Sequence, residues 1–307
     1  MPCLGLCSVR RNISSRNNLT RPRSQIFILL TPYLLGAFLL IALPAGISFF
    51  ISFTRFNGID GPLFTGWQNF QLLRRDPLFW VAITNSLLFI ALAIPLRVLG
   101  ALGLALLYNR PRPAIGFFRA AAYLPTVIPD TAYALAWLWI LNPLYGPMNE
   151  ALRLLGLPAP SWLADSAWSL PALVLISLFQ IGEGFVILLA GLRHIPREVY
   201  DAARVDGANR WQIFTSITMP LLSPWLVLLS ARDVALSFQN TFTPAYIMTR
   251  GGPYYSTFFT PLFIYESAFD GMRFGQAAAA MLMVFLATLI LVGLVYFIFE
   301  GQGFDED

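Results

Sequence analysis

Long apolar segments separated by short polar loops dominate the hydrophobic pattern of this 307-residue chain. Each of these segments reaches the roughly 20 residues that an α-helix needs to cross a bilayer. Basic residues precede the first segment, as in a cleaved signal peptide, but that segment is much longer than the roughly 7–15 apolar residues of a signal sequence. The pattern therefore predicts an all-α polytopic membrane protein with six transmembrane helices, at about 25–53, 81–108, 120–141, 172–192, 221–248 and 274–299.

Arginine is distributed unevenly between the two sides of such a protein. With six spans, both termini lie on one side. The tail and loops of that side carry twelve arginines, whereas the loops of the opposite side carry six. Because cytoplasmic loops are enriched in basic residues, the count predicts an N-in, C-in orientation, with the loop from 192 to 220 in the cytoplasm.

Polarity also divides the chain into four segments. Residues 1–24 are polar and arginine-rich and are predicted to form a cytoplasmic N-terminal tail. Residues 25–75 hold the first transmembrane helix and an extracytoplasmic loop. Residues 76–299 form a core with five transmembrane helices and the loop at 192–220, and residues 300–307 form a C-terminal tail.

Composition excludes several classes of function. Hydrophobic residues make up 57% of the chain and charged residues 12%, whereas soluble domains are about 25% charged. Every one of the twenty basic residues is arginine, so the chain lacks the lysine of a Walker A phosphate loop. One histidine and two cysteines do not form a metal-binding pattern, and no nucleophile motif is present. We therefore expect no catalytic residues, no metal and no nucleic-acid partner.

The polar run between the fourth and fifth apolar segments has the pattern of a short helix. Pro196 fits the first helical position, where its missing N–H costs nothing. Glu198 and Asp201 place negative charge in the opening turns, which favours the helix dipole. Ala202 and Ala203 make one side of the helix small, so that side can pack closely against another surface.

A sharp turn at Gly207 and a second amphipathic piece complete this run. The spacing is Asp201-Ala202-Ala203, three residues, Gly207, nine residues, Ile217, one residue, then Met219-Pro220. It resembles the EAA loop in permease subunits of bacterial binding-protein-dependent ABC importers. The fuller string DAARVDGANRWQIF is most similar to the carbohydrate branch, the maltose and glycerol-phosphate permeases. Asp201 stands where that family usually has Glu, and Met219 where it usually has Leu.

This resemblance implies the type I permease fold of ABC importers and a location in the bacterial inner membrane, in contact with lipid. It also implies ATP-driven import of a sugar, or of a related polyol or oligosaccharide. The implied partners are a second permease subunit in a heterodimer, two ATPase subunits and an extracytoplasmic solute-binding protein. No cofactor is expected in this chain, because ATP–Mg would bind the partner ATPase. The residues to which the resemblance assigns ATPase coupling are Glu198, Asp201, Ala202, Ala203, Asp206 and Gly207.

Several charged side chains fall inside the apolar segments, where they are costly unless they face protein or water. They are predicted either to line a substrate path or to pair between helices, for example Glu183 or Asp233 with Arg232 or Arg97. An ion-coupled secondary transporter would use the same acidic residues, together with Asp130, without an ATPase. The candidate residues of the path are Glu183, Arg232, Asp233, Ser237, Gln239 and Asn240.

Overall fold

A computed structural model describes the backbone of residues 22–300 and the side chains of residues 29–297. The chain divides into two units, Met1–Phe50 and Ile51–Asp307. The predicted tails at 1–24 and 300–307 lie outside the described residues, except for residues 22–24 and 300, which are helical.

The first predicted span, at 25–53, lies in the first unit up to Phe50. Helix α1 (Pro22–Ala37) continues through a π-helical segment, Phe38–Ala42, into α2 (Leu43–Ser52). Residues Leu29–Ser52 are long and apolar enough to cross a membrane, and most of their large side chains are exposed. This exposure suits a helix whose surroundings are lipid rather than water.

Local capping residues set both ends of the second predicted span, α4 (Pro77–Tyr108). The side chain of Asp76 accepts a hydrogen bond from the N–H of Leu78 at 2.9 Å, and Pro77 follows directly. At the other end, the Arg119 guanidinium donates to the carbonyl oxygen of Tyr108 at 2.5 Å. A cation there satisfies one of the carbonyl groups that a helix C-terminus leaves without an internal partner.

The third predicted span, at 120–141, is not one continuous helix. It consists of α5 (Ile115–Tyr123), a 3₁₀ segment (Leu124–Val127) and α6 (Asp130–Ile140). Ile128 is extended, because a residue before proline is driven out of the helical region by the ring of Pro129. The apolar run was long enough for a span, but its prolines divide it.

The fourth predicted span, at 172–192, is also broken. It begins earlier than predicted, with α8 (Ser166–Ser177), and continues through a 3₁₀ segment (Leu178–Gln180) into α9 (Gly182–His194), with a bend of 47° between the two parts. Gly182 lies at the bend, where an added Cβ would come within 2.9 Å of the Tyr123 Cα. The bend therefore brings the start of α9 into direct contact with the end of α5.

The fifth predicted span begins well before residue 221. Helices α10 (Arg197–Val205) and α11 (Arg210–Ile213) form the loop predicted at 192–220. From Arg210 to Thr249 the chain is one apolar helix, in which π-helical segments alternate with α12 (Met219–Asn240) and α13 (Phe242–Pro244). Helix α10 starts at Arg197, with Pro196 as its N-cap rather than its first residue.

The sixth predicted span, at 274–299, is α15 (Phe274–Glu300), and its residues Phe274–Phe297 are long and apolar enough to cross a membrane. The other described elements lie between the spans. They are β1 (Thr54–Arg55), β2 (Leu63–Phe64), α3 (Gln68–Arg75), α7 (Pro147–Leu154), α14 (Thr260–Tyr265) and a π-helical segment (Glu266–Asp270). Strands β1 and β2 pair antiparallel, with Thr54 opposite Phe64, so residues 22–300 depart from the all-α prediction at this hairpin. Four helices within 22–300 are long and apolar enough to cross a membrane, or five if the bent pair is one span; the predicted number was six.

Close packing of α4, α9 and α12 positions the polar groups discussed below. Ala101 on α4, Leu188 on α9 and Leu229 on α12 are almost fully buried in one hydrophobic cluster. Gly184 on α9 favours this close packing, because an added Cβ would crowd the Leu229 side chain at 3.0 Å and the Ala101 Cβ at 3.4 Å. These small residues bring three helix backbones close together, as in other membrane helix interfaces.

Candidate functional site

Four charged side chains from α4, α9 and α12 form one network. The Arg232 guanidinium bonds the carboxylates of Glu183 and Asp233, the latter at 3.2 Å. Arg97 Nε lies 3.4 Å from the second Asp233 oxygen, but its N–H makes no hydrogen bond, so this contact is an ion pair. Interhelical pairing, one of the two alternatives that the sequence left open, is therefore present between Glu183 and Arg232 and between Asp233 and Arg97, and each carboxylate has a counter-charge.

A polar cavity of about 210 Å³ opens beside this network. Three residues of the predicted path line it: Glu183, Arg232 and Asn240. Arg97 and Asp130, which the sequence also places inside apolar segments, line it as well. Charged groups of both signs and an amide can all hydrogen-bond a hydroxyl group, because hydroxyls both donate and accept.

The other three residues of the predicted path do not line this cavity. Asp233 is 3% exposed and lies behind the wall, where it holds both arginines. Ser237 is buried, and its hydroxyl donates to the Asp233 carbonyl oxygen at 2.6 Å along the helix. Gln239 is exposed elsewhere on α12. Helical periodicity grouped Asp233, Ser237 and Asn240 on one face, but the neighbouring helices cover most of that face.

Besides the apolar Leu236, two polar lining residues were missed by the sequence analysis. Thr126 belongs to the 3₁₀ segment after α5, and Gln180 ends the 3₁₀ segment before α9. Both lie where a predicted span is broken. A polar residue near proline or glycine within an apolar run could have identified both positions. Proline and glycine favour irregular backbone, which at membrane depth occurs where it lines a cavity or is buried in protein.

The second candidate site is the hairpin of α10 and α11, between the fourth and fifth spans. Gly207 has φ +79°, and its N–H donates to the Arg204 carbonyl oxygen at 3.1 Å. The N–H of Ala208 donates to the Ala203 carbonyl oxygen at 2.9 Å. These two bonds are the Schellman pattern that closes a helix C-terminus, so the turn predicted at Gly207 is present.

Asn209 then starts the second helix of the hairpin. Its side chain accepts from the N–H groups of Trp211 and Gln212, both at 2.9 Å, and its own N–H donates to the Gln212 side chain at 2.8 Å. This reciprocal arrangement is a capping box, which fixes the direction in which the chain enters the helix. The hairpin geometry is therefore set by its own sequence.

The predicted coupling residues do not share one environment. Ala203 is 9% exposed and packs against its own chain, whereas the other five residues of the set are exposed. Asp201 pairs with Arg204 at 2.8 Å within the same helix. The two helix ends that flank the turn also expose large apolar side chains, Val205 at 88% and Trp211 at 70%. Exposed apolar side chains beside charged ones are typical of a surface that a protein partner covers.

Comparison with known families and proteins gives consistent results. The family described as "Binding-protein-dependent transport system inner membrane component" matches residues 85–301. The "Probable starch degradation products transport system permease protein AmyD" of Thermoanaerobacterium thermosulfurigenes is 31% identical over 270 residues, covering 87% of this chain and 91% of the relative. The "Sulfoquinovosyl glycerol transport system permease protein SmoG" of Agrobacterium fabrum is 30% identical over 270 residues, with 85% and 86% covered.

A solved structure shares the fold. It is a bacterial alginate ABC transporter in complex with an alginate pentasaccharide-bound periplasmic protein, and one of its chains superposes with a TM-score of 0.76. The match covers 89% of this chain and 92% of that chain, at 22% sequence identity. The arrangement of helices is thus retained where most of the sequence has changed.

Proposed function

This chain belongs to the family of binding-protein-dependent transport system inner membrane components, and from that premise we propose that it is the permease subunit of an ATP-driven importer for a sugar or a related polyol or oligosaccharide. It is a multi-pass protein of the inner membrane. The proposed assembly contains a second, similar permease, two ATPase subunits that bind ATP–Mg, and an extracytoplasmic solute-binding protein. In this assembly the chain lies N-in and C-in.

The observation that carries the coupling proposal is the continuity of one helix. Helix α11 of the hairpin continues without a break in the helical backbone from Arg210 to Thr249, and the same helix bears Arg232 in the charged network. A displacement of the hairpin by an ATPase groove is therefore transmitted along a rigid element to the polar cavity. Coupling of this kind requires a structural element that has two arrangements, and both the hairpin and the cavity must shift the balance between them.

A carbohydrate substrate is supported by the chemistry of the cavity and by the relatives. The names of AmyD and SmoG refer to starch degradation products and to sulfoquinovosyl glycerol. The cavity presents carboxylate, guanidinium and amide groups, which match the many hydroxyls of a sugar. Its volume of about 210 Å³ is below the roughly 300–1,000 Å³ of typical ligand sites, so we propose that the second permease subunit completes it.

Ala202→Trp tests the docking of the hairpin. Ala202 is exposed on α10, so a bulky side chain there leaves the fold intact and obstructs a partner's groove. We expect the variant to insert normally but to lose co-purification of the ATPase subunits and to lose sugar uptake. Gly207→Pro is expected to abolish uptake as well, because proline cannot adopt φ +79°.

The matched control is Ala151→Trp, at an alanine of α7 that is also exposed. It should retain the ATPase subunits. Ala203→Trp is expected to abolish uptake too, but through local misfolding, because Ala203 is already buried. Normal ATPase binding by Ala202→Trp would show that the hairpin is not the docking element.

A further inference from the structure

A second cavity, of about 410 Å³, lies between β1, α3 and the first turn of α15 and shares no lining residue with the charged cavity. We call it the α3–α15 pocket. Two guanidinium groups line it, those of Arg55 and Arg273, and no carboxylate does. Neither arginine forms an ion pair with any described side chain. The acidic residues nearest to the two arginines along the chain are Asp60 and Asp270, and neither lines the pocket; Asp60 accepts a hydrogen bond from the side chain of Asn57 at 2.8 Å.

The start of α15 adds positive potential to the same pocket. This 27-residue helix begins at Phe274, and its next two residues, Gly275 and Gln276, line the pocket. The Gly275 N–H donates to the Phe56 carbonyl oxygen at 3.2 Å. The first turn of a helix leaves N–H groups without helical partners and carries a partial positive charge, which favours an anion.

Gln276 provides an independent indication of a ligand. It is 7% exposed and lines the pocket. No side-chain hydrogen bond of Gln276 is found among the described residues, and its amide is not one of the described groups that are both buried and unpaired, so the amide is open to the pocket. An amide on a largely buried side chain that is open to the pocket can hydrogen-bond a ligand oxygen without first breaking a bond within the protein.

The framework of the pocket is rigid. The Asn69 side chain donates to the carbonyl oxygens of Ser52 at 2.9 Å and Thr54 at 2.8 Å, which ties α3 to β1. A Cβ on Gly275 would lie 2.1 Å from the Thr54 oxygen, so only glycine permits this approach of α15 to the strand. The charged and amide groups are therefore held on a fixed scaffold before any ligand arrives.

We propose that the α3–α15 pocket binds a carboxylate group, with Arg55, Arg273 and Gln276 as its donors. The volume exceeds that of a carboxylate alone, and Phe56 and Leu72 supply apolar walls for the body that bears it. The carboxylate belongs either to an acidic sugar or to a side chain of the docked solute-binding protein. The evidence for the site is the geometry of the pocket. Only its extracytoplasmic location and the solute-binding protein as a source of the carboxylate rest on the proposed function.

Direct binding to the purified full chain in lipid nanodiscs tests the site, with glucuronate as the probe and glucose, which lacks the carboxylate, as its control. Calorimetry should detect glucuronate and not glucose. Arg55→Gln and Arg273→Gln should each weaken glucuronate binding by roughly tenfold or more, because each removes a charge-assisted hydrogen bond. Arg74→Gln, on α3 outside the pocket lining, should bind glucuronate like the unaltered chain.

Equal binding of both sugars, or unchanged glucuronate binding in the two pocket variants, overturns the proposal. A folding defect is separated from a binding defect by Arg273→Lys, which keeps the charge and should bind more tightly than Arg273→Gln. These measurements need no ATPase, so a failure of the transport proposal leaves their outcome intact.

The source of the carboxylate is decided with the assembled transporter and its solute-binding protein. If saturating glucuronate weakens association of the binding protein, and Arg273→Gln does the same, the ligand is a side chain of that protein. If association is unaffected while glucuronate still binds, the ligand is an acidic sugar. If glucuronate does not bind and Arg273→Gln does not alter association, the pocket is not a carboxylate site.

Discussion

Arg232 bonds two carboxylates, one on its own helix and one on α9. Glu183 and Arg232 are partly exposed, with side-chain exposures of 46% and 31%, so water screens their attraction. Arg97 and Asp233 are buried, with exposures of 11% and 4%. Residues in one network thus differ in role: the exposed pair faces the cavity, and the buried pair holds the helices that form it.

Asp233→Asn tests this difference. The substitution leaves Arg97 buried without its counter-charge, and breaking a buried pair costs about 3–5 kcal/mol. Glu183→Gln, the control, removes a partly exposed pair and should cost about 1 kcal/mol or less. Thermal unfolding of the purified protein measures both. A similar small loss for the two variants would contradict the assignment of Asp233 as the structural anchor.

At the scale of elements, the α10–α11 hairpin is the part that its own sequence specifies most completely. A glycine at positive φ ends one helix, and an Asn209–Gln212 capping box starts the next. All of these bonds join residues close in sequence, so no tertiary contact is required. The turn position was predictable for that reason, whereas the burial of Ala203 depends on what packs beside it.

Gly207→Ala is expected to loosen this hairpin without unfolding the protein. The left-handed conformation costs an alanine about 1–2 kcal/mol, although nothing lies within 4 Å of the added Cβ. Hydrogen exchange of the Ala208 and Asn209 amides should accelerate by about fivefold or more. The control is Gly103→Ala in α4. An added Cβ at Gly103 also has nothing within 4 Å, but Gly103 has a negative φ, so this variant should leave exchange in the hairpin unchanged. Unchanged exchange in both variants would refute the strain argument.

The broken spans show where element prediction failed. Hydrophobicity identified the apolar runs around 120–141 and 172–192, but not their division into shorter helices. Pro129 was visible as a local break. The 47° bend before α9 was not, because it depends on the contact of Gly182 with a helix end that is distant in sequence.

At the scale of the whole molecule, the orientation in the membrane decides which partner meets which surface. The proposed orientation places the α10–α11 hairpin in the cytoplasm and α7 outside. Both carry an exposed alanine, Ala202 and Ala151, and the natural cysteines are Cys3 and Cys7. Single-cysteine variants therefore report the orientation directly.

In a chain with both natural cysteines replaced by serine, a membrane-impermeant maleimide applied to intact cells should label Ala151→Cys and not Ala202→Cys. Inverted vesicles should give the opposite result. The physical reason is the arginine bias, which retains basic loops in the cytoplasm during insertion. Labelling of Ala202→Cys from outside would reverse the orientation and remove the basis for ATPase docking.

The sequence by itself determined the class of protein, the apolar runs and the hairpin turn. Each depends on composition or on contacts between near neighbours, and these are already present in the linear chain. Only the tertiary structure decided that Arg97, Glu183 and Asp233 meet around Arg232, that Ser237 and Gln239 lie outside the cavity, and that Arg55 and Arg273 face one pocket. These residues are far apart along the chain, and helix bends and close contacts at glycines bring them together. Hydrophobic periodicity alone does not encode such contacts.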